Sequence, residues 1–96
     1  MTEFTTLIDV DALAARLGDP ALVLLDCRFD LARPAWGEQA YAEGHIAGAI
    51  YVHLDRDLAG PVGPTSGRHP LPPPEQFARR AGEWGIGEGV QVVVCD

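Results

Sequence analysis

The stretch "YAEGHIAGAIYV" (residues 41–52) joins a polar helical segment to a short apolar run. It predicts a corner between a helix and a buried strand. Residues 38–43 predict a helical turn that ends at a glycine. Gly48 allows a tight turn immediately before residues 49–52, which predict a buried strand. His45 falls at the corner between helix and strand, where a ring N–H can tie the two segments together.

Two further apolar runs, residues 22–26 and 90–95, lie on either side of this stretch and also predict buried strands. Residues 10–17, with Asp9 as N-cap, and residues 74–84 have helical patterns. Short buried strands that alternate with helices favour an α/β fold with a central, mainly parallel sheet flanked by helices. The last strand has no covering helix after it, so we expect that more chain follows.

The segment between the second strand and the last helix is a predicted loop. Residues 60–74 hold six of the eight prolines and three glycines, which predicts stiff, extended backbone. A loop of this length in a compact domain is either functional or covers a surface. In the flanking segments, we expect Asp55, Arg56 and Asp57 to form local surface pairs, and Arg79 with Arg80 to lie on a solvated helix face.

The composition limits the classes of partner. The chain has 96 residues, 47% of them apolar, which suits one small domain or part of one. Its net charge is −7, and all seven cationic side chains are arginines. An acidic balance argues against nucleic acid and anionic membranes as partners. No leader or membrane-spanning run is visible, so we expect the cytoplasm, where both cysteines stay reduced and one disulfide is only an alternative.

The stretch 41–52 resembles the signature of the rhodanese family, an aromatic residue followed by a His-Ile/Val-Pro-Gly-Ala corner and an apolar strand. The matching residues are Tyr41, His45, Ile46, Gly48, Ala49 and Val52, and Ala47 replaces the usual proline. "LLDCR" (24–28) resembles a second family mark at the end of an early strand. "HLDRDLAGP" and "GRHPLP" resemble the N-terminal half of tandem thiosulfate and 3-mercaptopyruvate sulfurtransferases. The resemblance covers residues 7–96.

The resemblance implies a parent enzyme that moves sulfur from thiosulfate or 3-mercaptopyruvate to a thiol or cyanide, through a cysteine persulfide and without a cofactor. Residues 1–96 are then a partial N-terminal rhodanese-like domain, inactive alone, that shapes the interface and the active cleft. A second, catalytic rhodanese domain is expected beyond them. The partners implied are that C-terminal domain and a small anionic sulfur donor, with no nucleic acid and no membrane.

The same resemblance suggests roles for individual residues. It implies a structural motif made by Asp26, Arg28, His45, Gly48 and Ala49. For Arg68 and His69 the functional interpretation is donor binding, and the alternative is a solvated loop that packs on the neighbouring half. His45 is a candidate catalytic donor across the domain interface, but a structural corner histidine is favoured. The spacing of the cysteines and histidines is not of zinc type, so no metal site is expected.

Cys95 is the other catalytic candidate, and its role depends on register. Catalytic rhodanese domains place the persulfide cysteine directly after a strand of the "VVVY" type, and "VVVC" (92–95) matches that strand. In this alignment Cys95 is the last strand residue, and Asp96 stands at the nucleophile position. Cys27 is interpreted as an inert strand-end residue. Two alternatives stay open: a stand-alone inactive binding module, and a single-domain rhodanese, or a related phosphatase, with Cys95 as nucleophile.

Overall fold

A computed structural model describes residues 7–96 and contains one sheet of three parallel strands. The strands are β1 (Leu22–Asp26), β2 (Ile50–Tyr51) and β3 (Gln91–Cys95), in the spatial order β2-β1-β3. Leu25 pairs with Ile50 on one side and with Val94 on the other. The α/β fold with a parallel sheet is therefore confirmed, and each predicted strand is present.

In the described part of the chain, four helices accompany the sheet: α1 (Val10–Arg16), α2 (Trp36–Glu43), α3 (Leu54–Asp57) and α4 (Pro74–Glu83). Asp9 caps α1 as predicted, because its carboxylate accepts the Ala12 N–H at 2.8 Å. The four-residue α3 was not predicted from the sequence. Within residues 7–96, no helix has the length and apolar character needed to cross a lipid bilayer.

The largest cluster of buried apolar side chains lies on one side of the sheet, while Leu24 is buried on the other. Val23, Leu25, Val52 and Trp84 form its buried centre, and Val92 packs against them. The prediction that the last strand is buried is wrong in part, since β3 is only half-buried and Val94 is 58% exposed. The reason is topological: among the described residues β3 pairs only with β1, so it is an edge strand.

Helix α2 packs very closely against the segment that follows β1. A Cβ atom on Gly37 would lie 1.9 Å from the backbone oxygen of Arg28 and 2.6 Å from the Tyr51 hydroxyl. Only glycine fits there without moving the helix. This contact holds the start of α2 against the segment after β1, and a hydrogen bond from Arg28 to the Gly44 carbonyl joins the other end of α2 to the same segment.

The proline-rich segment is a loop closed at its base. Residues 60–73 contain no helix or strand. The Gly60 N–H donates to the Pro70 carbonyl at 2.8 Å, so the two ends of the loop are held together. The loop begins after α3 and leads directly into α4.

Candidate functional site

A paired carboxylate and guanidinium lie at the carboxyl end of β1. Asp26 is 2% exposed. The Arg28 Nε atom lies 3.1 Å from both Asp26 oxygens, and the Nη2 atom lies 2.9 Å from Oδ2. Nη2 also donates to the Gly44 carbonyl at 2.8 Å. Arg28 therefore satisfies a buried carboxylate and joins β1 to the end of α2 at the same time.

The corner before β2 is held by aromatic stacking and backbone hydrogen bonds. The His45 ring stacks on Tyr41 with centroids 3.6 Å apart, and its Nδ1 lies 2.7 Å from the Tyr41 carbonyl. Because a carbonyl oxygen only accepts hydrogen bonds, Nδ1 of His45 carries a proton and donates it. Nε2 is the other ring nitrogen of this exposed side chain. The Tyr41 hydroxyl donates to the carbonyl of buried Ala49, and Gly48 adopts φ +81°. This is the left-handed region that favours glycine.

Two adjacent clefts open at the carboxyl edge of β1 and β3, the edge where parallel α/β sheets bind ligands. The first has a volume of about 420 Å³. The second has about 400 Å³. The first is lined by Asp26, Arg28, Gly44, His45, Ile46, Cys95 and Asp96. The second is lined by Cys27, Arg28, Phe29, Trp36 and Asp96, so Arg28 and Asp96 belong to both.

The two free cysteines are neighbours in the sheet but face opposite sides of it. Cys95 pairs in register with Asp26, whereas Cys27 packs against the core with Leu25. The backbone N–H of Cys27 donates to the Cys95 carbonyl at 2.8 Å, so Cys95 takes part in the sheet's backbone hydrogen bonding.

Burial and negative neighbours disfavour the thiolate at both cysteines. For Cys95, burial and then the Asp26 charge raise the thiol pKa, although Arg28 acts in the opposite direction. For Cys27, burial raises the thiol pKa, and the neighbouring Cys95 and Asp26 add to it. A nucleophilic cysteine needs a lowered pKa. Neither thiol has that environment.

Arg68 and His69 lie in the proline-rich loop and line neither cleft. Arg68 is exposed. His69 is partly buried, and its Nε2 lies 2.8 Å from the Asp55 Oδ1 atom. Sequence reasoning missed Asp55 as a partner because the two residues are 14 positions apart and carry no shared motif.

The expectation of local surface pairs at residues 55–57 is correct in part: the Arg56 Nε atom lies 3.6 Å from the Asp57 Oδ2 atom, but Asp57 is not a surface residue. Asp57 is only 7% exposed. The Arg80 Nη2 and Nε atoms lie 3.0 and 3.2 Å from its Oδ1 atom. The His53 N–H donates to Oδ2 at 2.9 Å. Arg80 of α4 therefore pairs with a buried carboxylate at the end of α3, so the expectation that it lies on a solvated face is wrong.

Among residues 7–96, no three histidine, cysteine or carboxylate side chains lie together in a group that could hold a metal ion.

Comparison with protein families gives a match over most of the chain. The family model for the rhodanese-like domain matches residues 9–96. A Pseudomonas aeruginosa protein described as "Probable 3-mercaptopyruvate sulfurtransferase" is 46% identical over 91 residues, which are 94% of this chain and 32% of that protein. A Mycobacterium tuberculosis protein described as "Putative thiosulfate sulfurtransferase SseB" is 39% identical over 79 residues, 82% of this chain and 27% of that protein.

A solved structure has the same fold. The 3-mercaptopyruvate sulfurtransferase from Leishmania major superposes with a TM-score of 0.81 and 29% identity, over 91% of this chain and 24% of that one. The chain thus spans about a third or less of the length of the relatives that it matches.

Proposed function

We propose that this chain, which belongs to the rhodanese-like domain family, is part of a sulfurtransferase that takes sulfur from 3-mercaptopyruvate or thiosulfate and passes it to a thiol or cyanide. The observation that carries the proposal is the 46% identity with the Pseudomonas aeruginosa relative across 94% of the chain. The similarity to the Mycobacterium tuberculosis protein supports thiosulfate as the alternative donor. We further propose that the protein acts in the cytoplasm, where free thiols stay reduced.

Within that enzyme, we assign residues 1–96 to a non-catalytic N-terminal half of a tandem pair. A persulfide intermediate requires a thiolate held among inward-facing N–H groups. Cys95 is instead in the last position of β3, and burial raises its thiol pKa. Asp96, the first residue after the strand, brings negative charge to both clefts. These features support a reactive cysteine that lies in the other half of the protein.

The contribution of this half is one wall of the donor site. Arg68 presents an exposed cation on the proline-rich loop, and His69 is oriented by Asp55. Because the His69–Asp55 contact uses Nε2, the Nδ1 atom is the ring nitrogen that remains for a donor or for the catalytic half. An arginine and a histidine are the side chains that suit the carboxylate of mercaptopyruvate or the oxygens of thiosulfate.

The test is to locate the transferred sulfur in the full-length protein. After treatment with mercaptopyruvate or thiosulfate, mass spectrometry of the proteolysed protein should find the added sulfur on a cysteine outside residues 1–96. Cys95→Ser should keep most of the activity, as should the matched control Cys27→Ser. Replacement of the sulfur-carrying cysteine by serine should abolish activity.

Two results would contradict the assignment in different ways. Added sulfur on the peptide that contains Cys95, with loss of activity in Cys95→Ser only, would identify this half as the catalytic one. A full-length protein that accepts sulfur from neither donor would favour a binding module over an enzyme.

A further inference from the structure

We propose that an apolar cleft beside the proline-rich loop is a docking site for the second half of this protein, the chain that follows residue 96, and that an apolar side chain of that half fills it. This proline cleft has a volume of about 360 Å³ and is lined by Leu58, Leu71, Pro72, Pro74 and Phe77. The proposal rests on the tandem arrangement proposed above. It concerns the association of the two halves and gives the cleft no part in the chemistry.

The proline cleft is held open by contacts within residues 7–96. The Gly60 N–H donates to the Pro70 carbonyl at 2.8 Å, and a Cβ atom on Gly60 would lie 2.8 Å from the Leu71 carbonyl oxygen. The Phe77 N–H donates to the Pro73 carbonyl at 3.0 Å, which joins the loop to the first turn of α4. The prolines between these contacts have fixed φ angles. A partner therefore meets a preformed surface, and little ordering entropy is lost on docking.

The lining of the proline cleft is only partly covered by this half. Leu58 packs against the core cluster, and the Phe77 ring meets the ring of buried Trp84 edge-on, with centroids 6.2 Å apart. Phe77 is nevertheless 38% exposed, and Leu71 is 89% exposed. A single exposed leucine is ordinary. Here the leucine borders a rigid apolar concavity, so one side chain that enters the cleft removes several apolar surfaces from water at once.

The chemistry of the lining defines the occupant. None of the five described side chains that line the proline cleft is charged or carries a polar group. A small-molecule site has a few convergent polar groups that fix the orientation of the ligand, and this cleft offers no such side chain among the described residues. The occupant that fits is an apolar side chain, aromatic or branched, presented by a protein surface.

Size and charge favour the protein's own second half over a second copy of the chain. A stable interface between separate proteins takes about 20–30 residues a side. The proline cleft is lined by five. Two copies would also bring together chains that each have a net charge of −7.

A covalently linked half needs far less contact, because its effective concentration is in the millimolar range. The length of the relatives leaves room for such a half, since this chain spans 32% of the Pseudomonas aeruginosa protein and 24% of the Leishmania major one. The position of the cleft supports the same occupant. Arg68 and His69, proposed above to face the sulfur donor, precede Leu71 on the same loop. A half that brings its reactive cysteine to them approaches this loop.

The experiment is photo-crosslinking in the full-length protein, with the photoreactive amino acid p-benzoylphenylalanine in place of Leu71. Because Leu71 is exposed in this half, the position accepts a larger apolar side chain. Irradiation should give an intramolecular crosslink, and peptide mass spectrometry should locate its second end beyond residue 96. The control carries the same amino acid in place of Val62, which is 70% exposed on the same loop and does not line the cleft. It should give little of that product.

A second measurement uses Leu71→Asp, which places a charge at the proline cleft. This half should still fold, because the Leu71 side chain is exposed in it. Hydrogen exchange of the α4 amides in the full-length protein should become about tenfold faster, the factor that corresponds to losing most of the burial of one leucine. The β1 amides should exchange as before. Val62→Asp should leave both sets of amides unchanged.

Three results would overturn the docking site: a crosslink from position 71 to a second copy of the chain, no crosslink beyond residue 96, or equal α4 exchange in Leu71→Asp and Val62→Asp. None of them bears on the sulfurtransferase function, which is tested by the location of the transferred sulfur. Conversely, a crosslink beyond residue 96 in a protein that accepts sulfur from neither donor would support the docking site and refute that function.

Discussion

Asp26 and Asp57 are both buried carboxylates paired with an arginine, but the two pairs are built differently. Asp26 and Arg28 are two residues apart, at the end of one strand. Asp57 and Arg80 are 23 residues apart, on two helices separated by the proline-rich loop. The comparison shows that a local pair can be recognised as a motif, while a pair of similar geometry across a loop carries no sequence signal.

The two pairs also differ in what remains when the arginine is lost. Without the Arg28 side chain, Asp26 keeps the backbone N–H of residue 28 at 3.1 Å, but it loses the one cation that the described residues pair with it. Without Arg80, Asp57 keeps the His53 N–H and also a second cation, since the Arg56 Nε atom lies 3.6 Å from its Oδ2 atom. The Asp26 region should therefore be the more sensitive of the two.

The largest expected effect is that of Arg28→Ala, which leaves the buried Asp26 carboxylate without a paired cation and with the residue 28 backbone N–H as its remaining described donor. It should lower the free energy of unfolding by about 3 kcal/mol. Arg80→Ala should cost about 1 kcal/mol, because Asp57 retains a donor and the pair is partly solvated. Hydrogen exchange of the β1 amides in the full-length protein measures the loss in the free energy of unfolding for each of the two variants. Arg33→Ala breaks only an exposed pair with Asp30 and is the control. Equal losses in Arg28→Ala and Arg80→Ala would refute the ranking.

A second test compares two glycines that lie close to backbone atoms: Gly37, next to Arg28, and Gly60, at the base of the proline-rich loop. Gly37→Ala places a methyl group 1.9 Å from the Arg28 carbonyl oxygen and should cost about 2 kcal/mol, within the range for overpacking. Gly60→Ala meets the Leu71 carbonyl oxygen at 2.8 Å, at the base of a loop that can adjust, and should cost about 1 kcal/mol.

Gly82→Ala is the matched control for this pair. Gly82 lies inside α4 with nothing within 4 Å of an added Cβ, so alanine should stabilise the protein by about 0.5 kcal/mol. Thermal melts of the full-length variants give the order. A Gly37→Ala protein as stable as the Gly60→Ala protein would show that α2 is not held against β1 as described.

The smallest expected effect concerns the thiols beside the Asp26 pair. Burial raises the pKa of Cys27 and Cys95 in the folded state, so the folded protein keeps their protons at a pH where the unfolded chain has lost them. This contribution to stability is complete below about pH 8.5. The contribution is lost as the pH rises through the pKa values that the two thiols have in the folded protein.

Alkylation rates of the two cysteines, read by peptide mass spectrometry between neutral and alkaline pH, check this prediction. Both should react more slowly than the same sequences in free peptides, and their rates should keep rising at higher pH. Fast alkylation of Cys95 at neutral pH would indicate an activated thiolate and would contradict the pKa direction.

Much of the fold was predictable because its signals are local. The three strands, the Asp9 cap and the positive φ at Gly48 follow from runs, spacings and residue types that act within a few positions. The site was predictable only in part. Asp26 and Arg28 form one motif, whereas nothing near residue 55 or 57 in the sequence indicates His69 or Arg80.

By itself, the sequence determined the succession of the three strands and of α1, α2 and α4 along the chain, the negative net charge and the resemblance to the family. Apolar periodicity and the conformational limits of glycine and proline act within short segments, so they can be inferred without coordinates. Only the tertiary structure decided that Cys27 and Cys95 face opposite sides of the sheet, that Asp57 is buried, and that Asp55 meets the proline-rich loop. These contacts depend on how α3, α4 and the loop pack together, and packing between distant segments is a property of the whole chain.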